Sequence, residues 1–208
     1  SNRIFEMAKR ILIAGDSFGC EWPNGEGIGW PLILSETHAV NNVAQAGVGE
    51  YKILKQLHDL SARDSYWVNN YDCVIVCHTS PSRIHTPKHP VHKQGLHADC
   101  DLIYSDITNK FDWFNPRLKT AKNWFYHHYD DDYQKDLYQI LREEINRYVT
   151  IPYLAVDNFS ISNQFAKETH TLDLTDIWPE HRGEVNHYTK EGNQIVLKQI
   201  IDKLDKIC

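Results

Sequence analysis

The chain has 208 residues, of which 41% are hydrophobic and 24% charged, the profile of an ordinary globular domain rather than a disordered or fibrous protein. That length buries one substantial core and is short for two. Twenty-two Lys and Arg against 28 Asp and Glu leave a net charge of −6, and the scattered basic residues form no stripe of the kind a nucleic-acid partner requires.

The apolar runs are too short for a membrane-spanning helix and the N-terminus lacks a signal-peptide core. No membrane partner is expected, and a cytoplasmic location is. The cysteine count is odd, five, with no Cys-x-x-Cys pair. Cys73 and Cys77 share one predicted strand, where four residues span roughly 13 Å, too far for a bridge. Reduced thiols in a reducing compartment follow. Ser1 to Glu6, ahead of Met7-Ala-Lys-Arg, read as an extension outside a single domain over 7–208.

Arg10 to Gly15 is a continuous apolar run closed by glycine, as expected of a parallel strand buried on both faces. Ile28 to Glu36, with Pro31 near its start, predicts a short helix. His38 to Ala44 is a second strand candidate. Gly49 to Leu60 sets Ile53, Leu54, Leu57 and Leu60 at helical spacing, and Tyr71 to Cys77 is a third strand. The periodic signal then fades from Ser80 to Asp132, a stretch rich in proline, histidine and aromatic residues. It is too long for a loop and is read as an insertion, about residues 81–132, with some helix, packed over one end of the sheet. Asp130 to Val149 predicts an amphipathic helix with Tyr133, Leu137, Ile140, Leu141, Ile145 and Tyr148 on its buried face. Tyr153 to Val156 is the fourth strand, and Thr171 to Trp178 a short strand or extended segment. A last helix starts from Thr189 as N-cap, with Ile195, Val196, Ile200, Leu204 and Ile207 facing inward. Strands alternating with helices imply a mostly parallel, three-layer α/β sheet, with ligands beyond the carboxyl ends of its strands.

Gly15-Asp16-Ser17-Phe18-Gly19 follows the first strand directly, on a turn that exposes a serine at that edge. The pattern also fits the elbow of α/β-hydrolases, but there the serine follows several strands. By itself Gly-Asp-Ser makes an ordinary turn. Its meaning changes with Glu184-Val-Asn-His187, just before the last helix. A serine needs a base, and the base needs a partner that orients its ring. An acid three residues before a histidine provides both from one loop, with Asp173 or Asp176 as reserve acids.

Gly15-Asp16-Ser17-Phe18 resembles the first block of the SGNH/GDSL hydrolases, with Phe in place of Leu. Asn42-Val-Ala-Gln-Ala-Gly47-Val-Gly49 is similar to the second block, with Gly47 at the glycine whose N–H serves the oxyanion hole. Glu184-Val-Asn-His187, with Gly192 five residues on, resembles the last block. The resemblance spans nearly the whole chain apart from the insertion. It implies a flavodoxin-like α/β/α sandwich with a five-stranded sheet in the order 2-1-3-4-5 and an insertion after strand 3. It also implies an esterase with Ser17 as nucleophile, His187 as general base, Glu184 as orienting acid, and Ser17 and Gly47 as oxyanion donors. Two positions depart from the pattern. Glu184 stands where the family has Asp, and the third block, Gly-x-Asn-Asp, is replaced by His78-Thr79-Ser80-Pro81. Ser80 is the simplest substitute for the missing Asn, and Thr79 the reserve. Arg83, close after the third strand, is a candidate for substrate binding with Thr79.

His85, His89, His92 and His97 match no zinc spacing, and only Cys100 is placed among them; neither a metal nor another cofactor is expected. Asp130 to Asp132 reads as a helix N-terminus. Cys20, near Ser17, has no base of its own. The aromatic residues of the insertion favour a glycan ester, such as an O-acetylated carbohydrate, over a long-chain lipid. An acyltransferase using the same residues, and a non-catalytic glycan-binding or scaffold protein that kept the fold, are the alternatives.

Overall fold

The computed structural model describes residues 8–21, 29–108, 115–183 and 187–208. Five strands form one all-parallel sheet: β1 (Arg10–Gly15), β2 (Ala39–Asn42), β3 (Cys73–His78), β4 (Tyr153–Asp157) and β5 (Thr171–Asp173), in the order β2-β1-β3-β4-β5. This is the expected α/β architecture. The three central strands carry almost no polar side chains because helices cover both of their faces.

Alternation along the strands sorts their side chains between the two covers. Ile11, Ile13, Ile75, Leu154 and Val156 face a layer built from α1 (Trp30–Leu34) and α8 (Lys190–Ile207), where Trp30, Leu34, Val196, Ile200 and Leu204 are buried. Leu12, Ala14, Val74, Val76 and Ala155 face α2 (Glu50–Arg63) and α5 (Asp131–Tyr148), which contribute Ile53, Leu57 and Ile145. The expected N-cap of α8 is in place, the Thr189 hydroxyl accepting the Gly192 N–H at 3.2 Å, and at the acidic N-terminus expected for α5 Asp130 accepts the Tyr133 N–H at 2.9 Å.

Two expectations are corrected. Tyr133 and Ile140 are exposed, and the buried stripe of α5 is Tyr138, Arg142 and Ile145. A cation occupies a position that periodicity assigns to an apolar residue, because Asp157 and Glu168 meet it with two carboxylates. The stretch from Thr171 to Trp178 divides into β5 and a short α7 (Ile177–Glu180), with Asp173 turning the chain by accepting the Thr175 N–H at 2.9 Å.

The insertion holds α3 (Tyr104–Thr108) and α4 (Pro116–His128) around its own small core of Leu102, Ile107, Leu118 and Phe125. Its attachment is polar. Asp101, fully buried, accepts the Gly49 N–H at 2.7 Å and the Thr86 N–H at 2.9 Å and pairs with Lys52 at 2.9 Å. The Asp101 N–H donates to the Gly47 carbonyl at 2.8 Å.

Candidate active site

β1 ends in a turn that leaves little freedom. Gly15 has φ +142°, and a Cβ on it would lie 2.5 Å from the Cys77 carbonyl oxygen, so β3 admits only glycine there. Gln56 of α2 clamps this residue, accepting its N–H at 2.8 Å and donating to its carbonyl at 3.0 Å. Next, Asp16 Oδ1 accepts the Phe18 N–H at 2.9 Å, and the Gly19 N–H closes onto the Asp16 carbonyl at 3.1 Å. Ser17 sits within this turn at the carboxyl edge of the sheet, 8% exposed.

Phe18, at the position where the resembled pattern has Leu, is the pivot of the site. Its carbonyl accepts the Trp30 Nε1–H at 2.8 Å. Its ring meets Phe159 at 5.5 Å, Tyr188 at 5.3 Å and His187 at 5.4 Å between centroids. His187, 170 positions from Ser17 in the sequence, is thus packed against the side chain that follows the serine. The His187 loop is held on three sides. Its carbonyl accepts the Gly183 N–H at 2.6 Å, the Tyr188 hydroxyl donates to Asn158 at 2.6 Å, and Asn193 Nδ2 donates to the Tyr188 carbonyl at 3.2 Å. Both ring nitrogens of His187 are buried. Glu184 lies outside the described residues. Of the reserve acids, Asp173 is engaged by Thr175 and Asn163, and Asp176 leads into α7.

Gly47 adopts φ +73°, and a Cβ there would lie 2.6 Å from Cys100 Cβ. Its carbonyl accepts Arg83 Nη1 at 3.1 Å in addition to the Asp101 N–H. Arg83 Nε donates to the Thr79 hydroxyl at 2.9 Å. One guanidinium therefore ties the Gly47 turn to the segment after β3, and its charge also acts on Asp16. Thr79 is fully buried. The Ser80 hydroxyl turns instead to Ser82, 2.8 Å away.

Asp16 is wholly buried, and its carboxyl is pushed up to about 6 by that burial, against the pull of Arg83, the Phe18 N–H and the Thr79 hydroxyl. Burial likewise drives the Cys20 and Cys77 thiols well above their ordinary range, which leaves neither a nucleophile. Below the carboxyl edge runs a buried polar chain that periodicity does not reveal. His78 Nδ1 meets Glu50 at 2.6 Å and its Nε2 meets the Tyr153 hydroxyl. Arg142 bridges Asp157 and Glu168 at 2.6 to 2.9 Å. His78 at the end of the otherwise apolar β3 is its sequence signal, while Glu50 and Arg142 do not stand out on helices rich in charged residues.

No family model matches the chain, and no curated protein sequence matches it. The fold does have a solved counterpart. It is similar to the crystal structure of the psychrotrophic esterase EstA from Pseudoalteromonas sp. inhibited by monoethylphosphonate, with a TM-score of 0.52 and 12% identity over 95% of this chain and 97% of that one. At that identity the likeness speaks for the fold. The resemblance to the SGNH/GDSL blocks accordingly rests on the residues themselves. Among the described residues, no helix is long and apolar enough to cross a membrane.

Proposed function

We propose that this protein is a serine esterase of the SGNH/GDSL type that cleaves a carboxylic ester through an acyl-enzyme on Ser17. The observation that carries this reading is the packing of His187 against Phe18, which brings a buried imidazole to the nucleophile turn at the carboxyl edge of the sheet. His187 takes the Ser17 proton as the hydroxyl oxygen attacks the ester carbonyl, and returns it to the departing alcohol. Water activated by the same ring then releases the acid. Glu184 is assigned to orient His187. The N–H groups of Ser17 and Gly47 are assigned to the oxyanion. Thr79 and Arg83 brace the Gly47 turn. Neither a metal nor an organic cofactor takes part in these steps.

A glycan ester is the favoured substrate. Tyr104, Phe125, Tyr126 and Tyr129 line a cleft of about 780 Å³ to which Ser82, after β3, also contributes. Flat aromatic faces mixed with Ser105, Thr108 and Asn123 suit a sugar ring. An acyltransferase would use the same residues with a sugar hydroxyl in place of water. The non-catalytic alternative draws on the third block, where the Ser80 hydroxyl is committed to Ser82. Turnover of a chromogenic acetyl ester, tested on wild type and Ser17→Ala, decides. The expected result is activity lost by ~10⁴-fold or more in the variant, together with fluorophosphonate labelling of wild type alone. Neither turnover nor labelling in the wild type would establish the non-catalytic reading, and acyl transfer to an added sugar exceeding hydrolysis would establish the transferase.

A further inference from the structure

The insertion brings together side chains whose spacing in the sequence matches no metal motif. His89, His92 and Cys100 each offer a ligand atom within 4.8 Å of the others. Asp106 of α3 adds a carboxylate, 3.3 Å from His89 Nε2 and 3.9 Å from His92 Nε2. The ring of His97 lies 5.5 Å from that of His92. His89 and Cys100 are each only 3% exposed. His89 Nε2 is buried, and its polar contact is the Asp106 carboxylate within the cluster.

We propose that His89, His92 and Cys100, with Asp106 beside them, form a structural site for one zinc-class divalent ion. Two imidazoles and a thiolate are borderline-to-soft donors, which select zinc over the all-oxygen preference of magnesium or calcium. Tetrahedral zinc with bonds of about 2.0–2.3 Å sets its ligands about 3.5 Å apart, so the donors need close by little more than about 1 Å. Cys100 precedes Asp101, the anchor of the insertion, and its Cβ lies against Gly47. An ion held there ties the insertion to the Gly47 turn. This site is independent of the esterase reading, because its ligands lie outside the Ser17 and His187 machinery.

Loading has a defined local consequence. In the metal-free form His89 Nδ1 accepts the N–H groups of Val91 at 3.1 Å and His92 at 2.9 Å, so the ring proton resides on Nε2. An ion at Nε2 displaces that proton, Nδ1 becomes the protonated nitrogen, and the two amide contacts open.

The test is a cobalt(II) titration of the tag-free, reduced full chain, followed by displacement with zinc. The expected result is one equivalent bound with thiolate-to-cobalt charge-transfer absorption and with shifted amide resonances of Val91 and His92. Cys100→Ser should lose the charge-transfer band, and His92→Gln, at a half-buried position, should weaken binding at least tenfold if Cys100→Ser fails to fold. No binding, binding without the thiolate band, or affinity unchanged in His92→Gln would overturn the proposal. Ester turnover plays no part in these readouts, so a loss of the esterase reading leaves the metal result standing.

Discussion

Asp16 lies wholly inside the protein, one position before the candidate nucleophile, and its carboxyl titrates near 6 because burial outweighs Arg83, the Phe18 N–H and the Thr79 hydroxyl. Its unfolded value is about 3.9. Between these limits the folded state binds more protons than the unfolded one, so the stability Asp16 contributes is present below pH ~4 and lost as pH rises through ~6. A shift of about two units corresponds to ~3 kcal/mol. Asp16→Asn should therefore gain stability relative to wild type by up to that amount between pH 4 and 7, as read by urea unfolding at each pH; a pH-independent difference would refute the assignment. Arg83 supports a kinetic prediction at the same scale. Its guanidinium spans Gly47 and Thr79, so Arg83→Ala should lower kcat for the acetyl ester on the order of 10²-fold while KM changes little. Arg83→Lys keeps charge but not the fork and should recover only part of the loss. Equal kcat in all three proteins would show that the Arg83 brace does not support turnover.

At the scale of elements, α5 shows how a helix can be recognised while only part of its buried face is: Ile145, with Leu141 and Tyr148 beside it, packs as expected, but Tyr133 and Ile140 are exposed and Arg142 is buried. Charged residues are read as solvent-facing because an unpaired buried cation costs several kcal/mol. Arg142 escapes that rule through Asp157 at the end of β4 and Glu168 after α6 (Ser160–Asn163), partners that are distant in sequence. Arg142→Met keeps the volume but strands two buried carboxylates. It should cost ~3–5 kcal/mol in urea unfolding at neutral pH, with much of the loss recovered when Asp157→Asn and Glu168→Gln are added. A cost below about 1 kcal/mol would show the network to be dispensable. The ends of β1 and α8 behave differently. Thr189 answers a local backbone need, the cap on the Gly192 N–H, and is readable from the sequence for that reason, whereas Gly15 and Gly192 are held to glycine by the close approach of Cys77 and His181.

For the molecule as a whole, the insertion is joined to the body by a polar seam in which the buried Asp101 carboxylate, the Asp101 N–H, Arg83 and Lys52 all take part. Asp101→Ala leaves the Gly49 and Thr86 N–H groups without their acceptor and removes the carboxylate that pairs with Lys52, which keeps the Thr86 and Asp99 carbonyls. Hydrogen exchange should quicken at 47–49 and 84–102 while β1, β3 and β4 stay protected; uniform loss of protection would mean that insertion and sheet unfold as one unit. The parallel core was legible in the residues alone, since strands buried on both faces must be continuously apolar, as were the Ser17 turn and the His187 loop at opposite ends of the chain. Tertiary structure alone brought His187 onto Phe18, tied Gly47 to Thr79 through Arg83, turned Ser80 toward Ser82, paired Arg142, and gathered His89, His92 and Cys100. Most of these join residues far apart along the chain or depend on side-chain orientation, and hydrophobic period and motif spacing record only what neighbours along the chain require.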